Sequence, residues 1–214
     1  MLSDRMNEAL CQQANRELYS SYLYLSMSYY FESIDMLGFA HWMRLQAAEE
    51  LVHTMKMLDY VAGSGGRARM LAVEAPQFSW SSPLQAFQHV WDHERTVTGL
   101  ILALVRVAEE EKDAATGQFL EWYVKEQVEE EESSDGVLIQ VKAAGEDRSA
   151  LVEADRKLGE RRFKFPSRWG FECIDDIDLT AFLMGSILSN CWQPSIEPSI
   201  PNLALSAWKR TSAF

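Results

Sequence analysis

The sequence predicts an all-α protein: a four-helix bundle with a long crossover between helices two and three, a short fifth helix and an atypical C-terminal tail. Three observations lead to this prediction. Apolar residues recur at steps of three and four through four long segments, the spacing of helices with one buried face. Capping or terminating residues bound these segments. The connection at residues 63–81 is longer than most loops and can cross from one end of a bundle to the other.

Composition limits the classes of function. The 214 residues suffice for one well-buried core, and 47% hydrophobic with 24% charged residues is ordinary for a globular protein. A net charge of −12 without a basic cluster argues against a nucleic-acid partner. The N-terminus lacks a signal-peptide pattern, and no apolar run approaches the roughly 20 residues that span a bilayer. Three widely spaced cysteines indicate a reducing compartment, so we expect a cytoplasmic protein with no membrane partner.

Helix one is predicted at about residues 3–33, with Ser3 as its N-cap. Its inward stripe is small or apolar except for one carboxylate, Glu17. A buried unpaired charge is costly, so Glu17 needs a cation or a hydrogen-bond partner. Tyr24 follows two turns later on the same face, where it can hydrogen-bond the site or donate an electron.

Helix two is predicted at about residues 38–62 and ends at the glycine-rich stretch 63–66. The middle of its inward stripe holds Glu50 and His53. Because residues three apart on a helix point to the same side, this pair can bind one metal ion together. Taken alone, a Glu-x-x-His pair often occurs by chance on a helix surface, so the pair requires partners from other helices.

Helix three begins with a capping box, in which Ser82 is the N-cap, Pro83 the first helical residue and Gln85 the third. The helix is predicted to continue to about residue 112. Its inward stripe again contains a single carboxylate, Glu94.

Helix four is predicted at about residues 115–144, ended by Gly145, and its stripe contains Gln127 and Glu130. Further carboxylates surround these positions, at Glu126, Glu129, Glu131 and Glu132 on the same helix and at Glu49 on helix two. The cluster of Glu126, Glu129 and Glu130 with Glu49 has two interpretations, a solvated acidic face or an auxiliary iron site.

A short fifth helix is predicted from a cap at Asp147 or Ser149 to about residue 163. Four prolines then follow among residues 164–214, which therefore do not continue the bundle. We expect residues 1–163 to form the bundle domain and residues 164–214 an extension of unknown role.

The polar positions of the four helices lie near the middle of each helix and are expected to meet at one level. Glu50 then bridges two ions, one bound with Glu17 and His53 and the other with Glu94, Gln127 and Glu130. Carboxylate and imidazole ligands without thiolate suit Fe(II), Mn(II) or Zn(II), and open positions suit iron that meets oxygen. Four helices that interrupt their apolar stripes at one depth are hard to explain by coincidence.

Several motifs together resemble the ferritin family, in its bacterial and archaeal non-haem branch. They lie in residues 15–24, 49–53, 93–94 and 119–131, and the resemblance covers about residues 1–163. Bacterioferritins are similar but carry a second Glu-x-x-His motif, and their haem-binding methionine would fall at Leu51, so we expect no haem.

The resemblance implies a ferritin-like fold and a ferroxidase centre that oxidises Fe(II) to Fe(III) with oxygen or peroxide. It also implies a third iron site, a hollow homo-oligomer of 24 subunits and storage of iron as a ferric mineral. The implied ferroxidase ligands are Glu17, Glu50, His53, Glu94, Gln127 and Glu130, and those of the third site are Glu49, Glu126, Glu129 and Glu130.

The sequence departs from the family in two places. Glu153 stands in the fifth helix where relatives are commonly apolar, and residues 164–214 have no counterpart that we recognise. In ferritin shells the fifth helix packs around the fourfold axis. Glu153 and the extra residues therefore both affect whether such a shell can close. Two alternatives therefore stay open: a non-catalytic shell or scaffold subunit whose tail recruits a partner, and a di-iron oxygenase with an apolar substrate pocket beside the metals.

Overall fold

The computed structural model describes residues 1–162 and contains five α-helices in that range. The predicted all-α fold is confirmed, with every long helix within about two residues of its expected bounds. The helices are α1 (Asp4–Ser33), α2 (Leu37–Gly63), α3 (Pro83–Glu110), α4 (Ala114–Ala144) and α5 (Arg148–Leu158).

Side-chain caps fix the starts of α1 and α3, whereas α2 begins without one. The Ser3 hydroxyl accepts a hydrogen bond from the Met6 N–H at 3.0 Å, and the Ser82 hydroxyl accepts one from the Gln85 N–H at 3.2 Å. The Gln85 side chain does not complete the predicted capping box, because its oxygen accepts from the N–H of Ser81, one residue before the cap. These caps satisfy N–H groups that the first helical turn leaves unpaired.

Helix α5 ends at Leu158, so its predicted extension to about residue 163 is wrong. Its start is as expected, since the Asp147 side chain accepts from the Ser149 N–H at 2.8 Å. Glu153 is exposed on α5 and pairs with Arg156 at 3.0 Å. The expected extension at residues 164–214 lies outside the described residues.

The crossover after α2 follows α1 along its length. The Asn7 side chain pairs with the backbone of Arg67, Asn15 donates to the Ala72 carbonyl and Ser26 donates to the Gln77 carbonyl. This segment therefore carries the chain from the C-terminal end of α2 back to its N-terminal end.

Helices α2 and α3 consequently run parallel, as the long crossover predicts. Helix α1 is antiparallel to α3, because Arg5 pairs with Glu110 at 2.7 Å and the Ser20 hydroxyl contacts His93 at 2.8 Å. Helix α1 is also antiparallel to α2, from which it is separated by a short turn that includes Asp35 at a φ of 60°.

Two apolar clusters fill the bundle, one toward each end. One includes Phe31, Phe39, Trp42 and Phe87, and the other includes Leu10, Met57, Ile101 and Leu120. The polar residues of the four inward stripes lie between them and are buried. The side chains of this middle layer are Glu17, Glu50, His53, Glu94, Gln127 and Glu130.

Within residues 1–162, no helix has both the length and the apolar character needed to cross a bilayer.

Candidate metal centre

Two groups of ligand atoms converge in the middle layer. Glu17, Glu50 and His53 present atoms that all lie within 4.8 Å of one another, and so do His53, Glu126 and Glu130. Ligands on opposite sides of one ion are about 4 to 4.5 Å apart, since each metal–oxygen or metal–nitrogen bond is about 2.0 to 2.2 Å. Each group is therefore close to the spacing that a single transition-metal ion requires.

The first group contains buried polar atoms that form no well-aligned hydrogen bond among the described residues, although Nδ1 of His53 and Oε2 of Glu50 lie 3.3 Å apart. These atoms are Oε2 of Glu17, both side-chain oxygens of Glu50 and Nδ1 of His53. Glu50 is fully buried and His53 is 3% exposed. Buried polar groups are ordinarily hydrogen-bonded, because leaving water without compensation is costly. Their convergence fits a cation, which would satisfy all of them together.

Neighbouring side chains hold Glu17 and His53 in position through hydrogen bonds. The Gln13 amide donates to Oε1 of Glu17 at 2.8 Å, and this leaves Oε2 free to face Glu50. The Tyr123 hydroxyl donates to the backbone carbonyl of His53 at 2.7 Å. The sequence reasoning missed both residues, although a glutamine four residues before Glu17 on a helix is a readable signal.

His53 lies between the two groups through its two ring nitrogens. Nδ1 is 3.3 Å from Oε2 of Glu50, and Nε2 is 3.7 Å from Oε1 of Glu126. Burial alone would lower the pKa of His53, but the carboxylates of Glu126, Glu50 and Glu17 outweigh burial and raise it. The balance of these effects therefore favours the protonated imidazole.

Glu94 is held by two donors from different helices. The Tyr24 hydroxyl donates to its Oε1, and the Gln127 amide donates to its Oε2 at 3.3 Å. Burial raises the pKa of Glu94 to about 8, and the charges of Glu130 and Glu17 add to this rise. The structure thus brings Glu94, Tyr24 and Gln127 into one hydrogen-bonded set.

The carboxyl groups of Glu50 and Glu130 also favour the protonated state. Burial raises the pKa of Glu50 well above its ordinary value, and burial likewise raises the pKa of Glu130. Binding of a divalent ion must displace these protons, because the ion requires ionised carboxylates.

The residues expected at a third site have dissimilar surroundings. Glu126 and Glu130 come together beside His53, whereas Glu129 is exposed. Glu49 forms an ion pair with Arg161 at 2.8 Å. Burial raises the pKa of Glu49 to about 7 against the opposing charge of Arg161. The sequence reasoning did not identify Arg161, which has no periodic pattern around it.

Comparisons with known proteins show which family this chain resembles. The chain matches the family described as Ferritin-like domain over residues 7–143. A protein of Bacteroides fragilis named bacterial non-heme ferritin is 43% identical over 161 residues, which cover 75% of this chain and 100% of the relative. A protein of Staphylococcus aureus with the same name is 36% identical over 163 residues, which cover 76% of this chain and 98% of the relative.

Solved structures of ferritins are also similar to this chain. An open-pore ferritin from the hyperthermophilic archaeon Archaeoglobus fulgidus is similar with a TM-score of 0.75 and 51% identity, covering 76% of this chain and 100% of that chain. A closed form of the Archaeoglobus fulgidus ferritin, engineered by site-directed mutagenesis, gives a TM-score of 0.76 at 51% identity, with 77% and 100% coverage. These likenesses concern about three quarters of the chain.

Proposed function

Because the chain belongs to the ferritin family, we propose that its buried carboxylate and imidazole cluster is a ferroxidase centre that prepares iron for storage. Fe(II) is the substrate, and the oxidised iron is stored as a ferric mineral. Relatives named bacterial non-heme ferritin support this function.

The observation that carries the proposal is the unsatisfied group formed by Glu17, Glu50 and His53. A core that served only packing would fill this position with apolar side chains, because buried unpaired carboxyl groups destabilise a fold. These residues come from two helices and aim their unpaired atoms at one point. A divalent cation bound at that point compensates the cost of burying these unpaired carboxyl groups.

We assign two iron positions that share Glu50. The first is held by Glu17, Glu50 and His53, and the second by Glu50, Glu94, Gln127 and Glu130. The second position has only oxygen ligands, and one of them is the neutral amide of Gln127. Because only the first position has an imidazole ligand and the second includes a neutral amide, this ligand set suits transient binding of iron more than permanent binding.

The oxidation consumes two electrons from two iron ions. Each Fe(II) loses one electron, and the pair reduces dioxygen with two protons to hydrogen peroxide or reduces hydrogen peroxide with two protons to two waters. The protein contributes by holding the ions and leaving coordination positions open. The carboxyl groups with raised pKa values release protons as iron binds.

We further propose a third, more exposed iron position at Glu49, Glu126, Glu129 and Glu130, and assembly of 24 subunits into a shell. The net charge of −12 suits a protein that handles cations. Cys11 is a free, buried thiol, which is compatible with the reducing cytoplasm as the site of action.

The two alternatives receive less support. In a scaffold subunit with relic ligands, mutation would be expected to replace unsatisfied buried carboxylates, yet Glu17 and Glu50 both remain. An oxygenase needs an apolar pocket beside the metals. Among the described residues, a cavity of about 460 Å³ is lined by residues such as Tyr22, Tyr29 and Phe78, none of them an assigned ligand, so this cavity does not support an oxygenase.

The proposal is tested by mixing the metal-free protein with Fe(II) in air and following ferric absorbance. The parent is expected to oxidise iron far faster than buffer alone, and Glu50→Ala is expected to lose most of this rate because both ions lose a shared ligand. Glu121→Ala, which removes an exposed carboxylate from α4, is the matched control. Equal rates in the parent and Glu50→Ala would contradict the assignment.

A further inference from the structure

Arg161 lies just beyond the end of α5 and turns back onto α2. Its backbone carbonyl is 2.9 Å from Nε2 of His41, and its guanidinium carbon is 5.2 Å from the centre of the Trp42 ring. Both contacts hold the residue against the second helix. The side chain is 25% exposed, so most of it has been removed from water.

The guanidinium group engages both oxygens of Glu49. Nη2 of Arg161 donates to Oε2 at 2.8 Å and to Oε1 at 3.0 Å. Charge-assisted hydrogen bonds of this kind are stronger than neutral ones. The Glu49 side chain is 18% exposed, and an ion pair sheltered to this degree is less screened than one at the surface. The positive charge of Arg161 therefore already compensates the Glu49 carboxylate.

The same guanidinium reaches a second carboxylate through Gln46. Nη1 of Arg161 donates to Oε1 of Gln46, and Nε2 of Gln46 donates to Oε2 of Glu130 at 2.7 Å. Because the oxygen of the Gln46 amide faces arginine, its nitrogen must face Glu130. Arg161 thus sets the orientation of Gln46, and the Gln46 amide nitrogen in turn occupies one oxygen of Glu130.

We propose that Arg161 is an internal counter-ion that competes with the third metal ion for Glu49 and, through Gln46, for Glu130. The third ion binds only when the guanidinium leaves Glu49, so Arg161 acts mainly on this site and reaches the second buried position only through the Gln46 contact with Glu130. This inference rests on the proposed function, since it requires the two buried positions to bind metal.

The inference is tested by anaerobic titration of the metal-free protein with Mn(II), with the free ion followed by electron paramagnetic resonance. Mn(II) suits oxygen and imidazole ligands and is not oxidised under these conditions. The parent is expected to show two tighter ions per subunit and a weaker third. Arg161→Gln is expected to tighten the third ion by about tenfold at a pH where Glu49 is ionised, because the ion no longer has to displace the guanidinium from Glu49.

Companion variants separate competition from a merely structural role. Arg161→Met keeps the stem over Trp42 without the charge and is expected to behave as Arg161→Gln does, so either variant suffices if the other fails to fold. Arg161→Lys retains the charge but cannot reach both Glu49 and Gln46 as the guanidinium fork does, so its third dissociation constant is expected to lie between those of the parent and Arg161→Gln. Arg162→Gln, which removes one exposed charge from the next residue, is expected to leave it unchanged.

The outcomes are distinct. An unchanged third dissociation constant in Arg161→Gln and Arg161→Met, or equal tightening in Arg162→Gln, overturns the role of Arg161 while the two buried ions remain. Absence of the two tighter ions in the parent overturns the proposed function itself, and the inference with it.

Discussion

The Tyr24 hydroxyl donates a hydrogen bond to Oε1 of Glu94, across the bundle from helix α1 to helix α3. Tyr24 is fully buried, and burial together with the charges of Glu94 and Glu50 raises its pKa well above the ordinary value. The phenol therefore stays protonated and acts as a donor. Its expected role as a hydrogen-bond partner of the centre has this geometric support, while electron donation stays a prediction.

Replacing Tyr24 by phenylalanine is expected to weaken iron binding at the second position. The hydrogen bond favours the ionised form of Glu94, so its loss raises the pKa of a carboxyl group that must be deprotonated to bind metal. We expect the Fe(II) concentration for half-maximal oxidation to rise by up to about tenfold at neutral pH, the size of a hydrogen bond to a charged group. Initial rates over a range of Fe(II) concentrations measure this effect.

Tyr19→Phe is the matched control, because Tyr19 contacts the ring of His93 at 5.9 Å and touches no assigned ligand. Its oxidation curve should superimpose on that of the parent. An unchanged half-saturation concentration in Tyr24→Phe would mean that the hydroxyl has no part in setting the affinity of the centre.

Gln127→Glu is expected to slow the departure of Fe(III). The substitution adds a carboxylate where a neutral amide now lies 3.3 Å from Oε2 of Glu94, and an added anion attracts a trivalent ion more strongly than a divalent one. A second Fe(II) addition after varied delays measures how soon the centre is free again. We expect recovery of the initial rate to take about tenfold longer than in the parent, equivalent to about 1.4 kcal/mol.

Thr98→Val separates added charge from a lost hydrogen bond, since Thr98 Oγ1 is the other side-chain partner of the Gln127 amide, also at 3.3 Å. Recovery in this variant should stay within about twofold of the parent. If Gln127→Glu recovers as fast as the parent, the neutral amide does not explain the passage of iron.

The metal-free protein is expected to lose stability as pH rises through the neutral range. The folded-state pKa of Glu94 is about 8, above the ordinary 4.5, so the folded protein holds this proton more tightly than the unfolded chain does. That contribution is complete below about pH 4.5 and is lost as pH approaches 8. The raised pKa values of Glu50, Glu130 and His53 act in the same direction.

Thermal unfolding of chelator-treated protein between pH 6 and about 8.5 measures this dependence. We expect the midpoint temperature to fall with pH in the parent and to fall less steeply in Glu94→Gln, which cannot ionise. Saturating Mn(II) should reverse the trend, because metal binds the deprotonated ligands. Identical slopes in the parent and in Glu94→Gln would show that Glu94 does not hold a proton in the folded protein.

Gly38 permits the close approach of α5 to α2, and Gly38→Ala is expected to disturb it. A Cβ atom at Gly38 would overlap the backbone carbonyl of Asp155, whose side chain also accepts a hydrogen bond from the Phe39 N–H at 2.7 Å. We expect a loss of about 1 to 3 kcal/mol in the free energy of unfolding, the usual cost of overpacking.

Gly99→Ala is the matched control within α3, where an added Cβ meets no atom within 4 Å. Here alanine should stabilise the helix by about 0.5 to 1 kcal/mol. Chemical denaturation measures both changes, and equal effects of the two substitutions would contradict the packing described for α5.

The fold and the level of the site could be predicted from the sequence because both depend on local pattern. The positions of the caps Ser3 and Ser82 and the helical spacing fix the long helices, and each apolar stripe is interrupted by Glu17, Glu50 or Glu94 at the same depth. The length of the crossover was enough to predict that α2 and α3 run parallel. These features follow from residues close together in the chain.

The remaining features depend on contacts between distant residues. Arg161 pairs with Glu49, which lies 112 residues earlier in the chain, and no periodic pattern in the sequence indicates this contact. The end of α5 at Leu158 was missed although Gly159, its C-cap, is a readable stop signal. The sharing of His53 between Glu50 and Glu126 depends on ring orientation, which spacing along a helix does not determine.

The most direct test of the central claim, that two iron ions share Glu50, is anomalous diffraction from crystals soaked with Fe(II) in the absence of oxygen. We predict two strong iron peaks in each subunit, one on either side of the Glu50 carboxylate, with His53 bound to one peak and Glu94 and Glu130 to the other. Iron peaks that lie away from Glu50, or a single peak that Glu50 does not contact, would contradict the account.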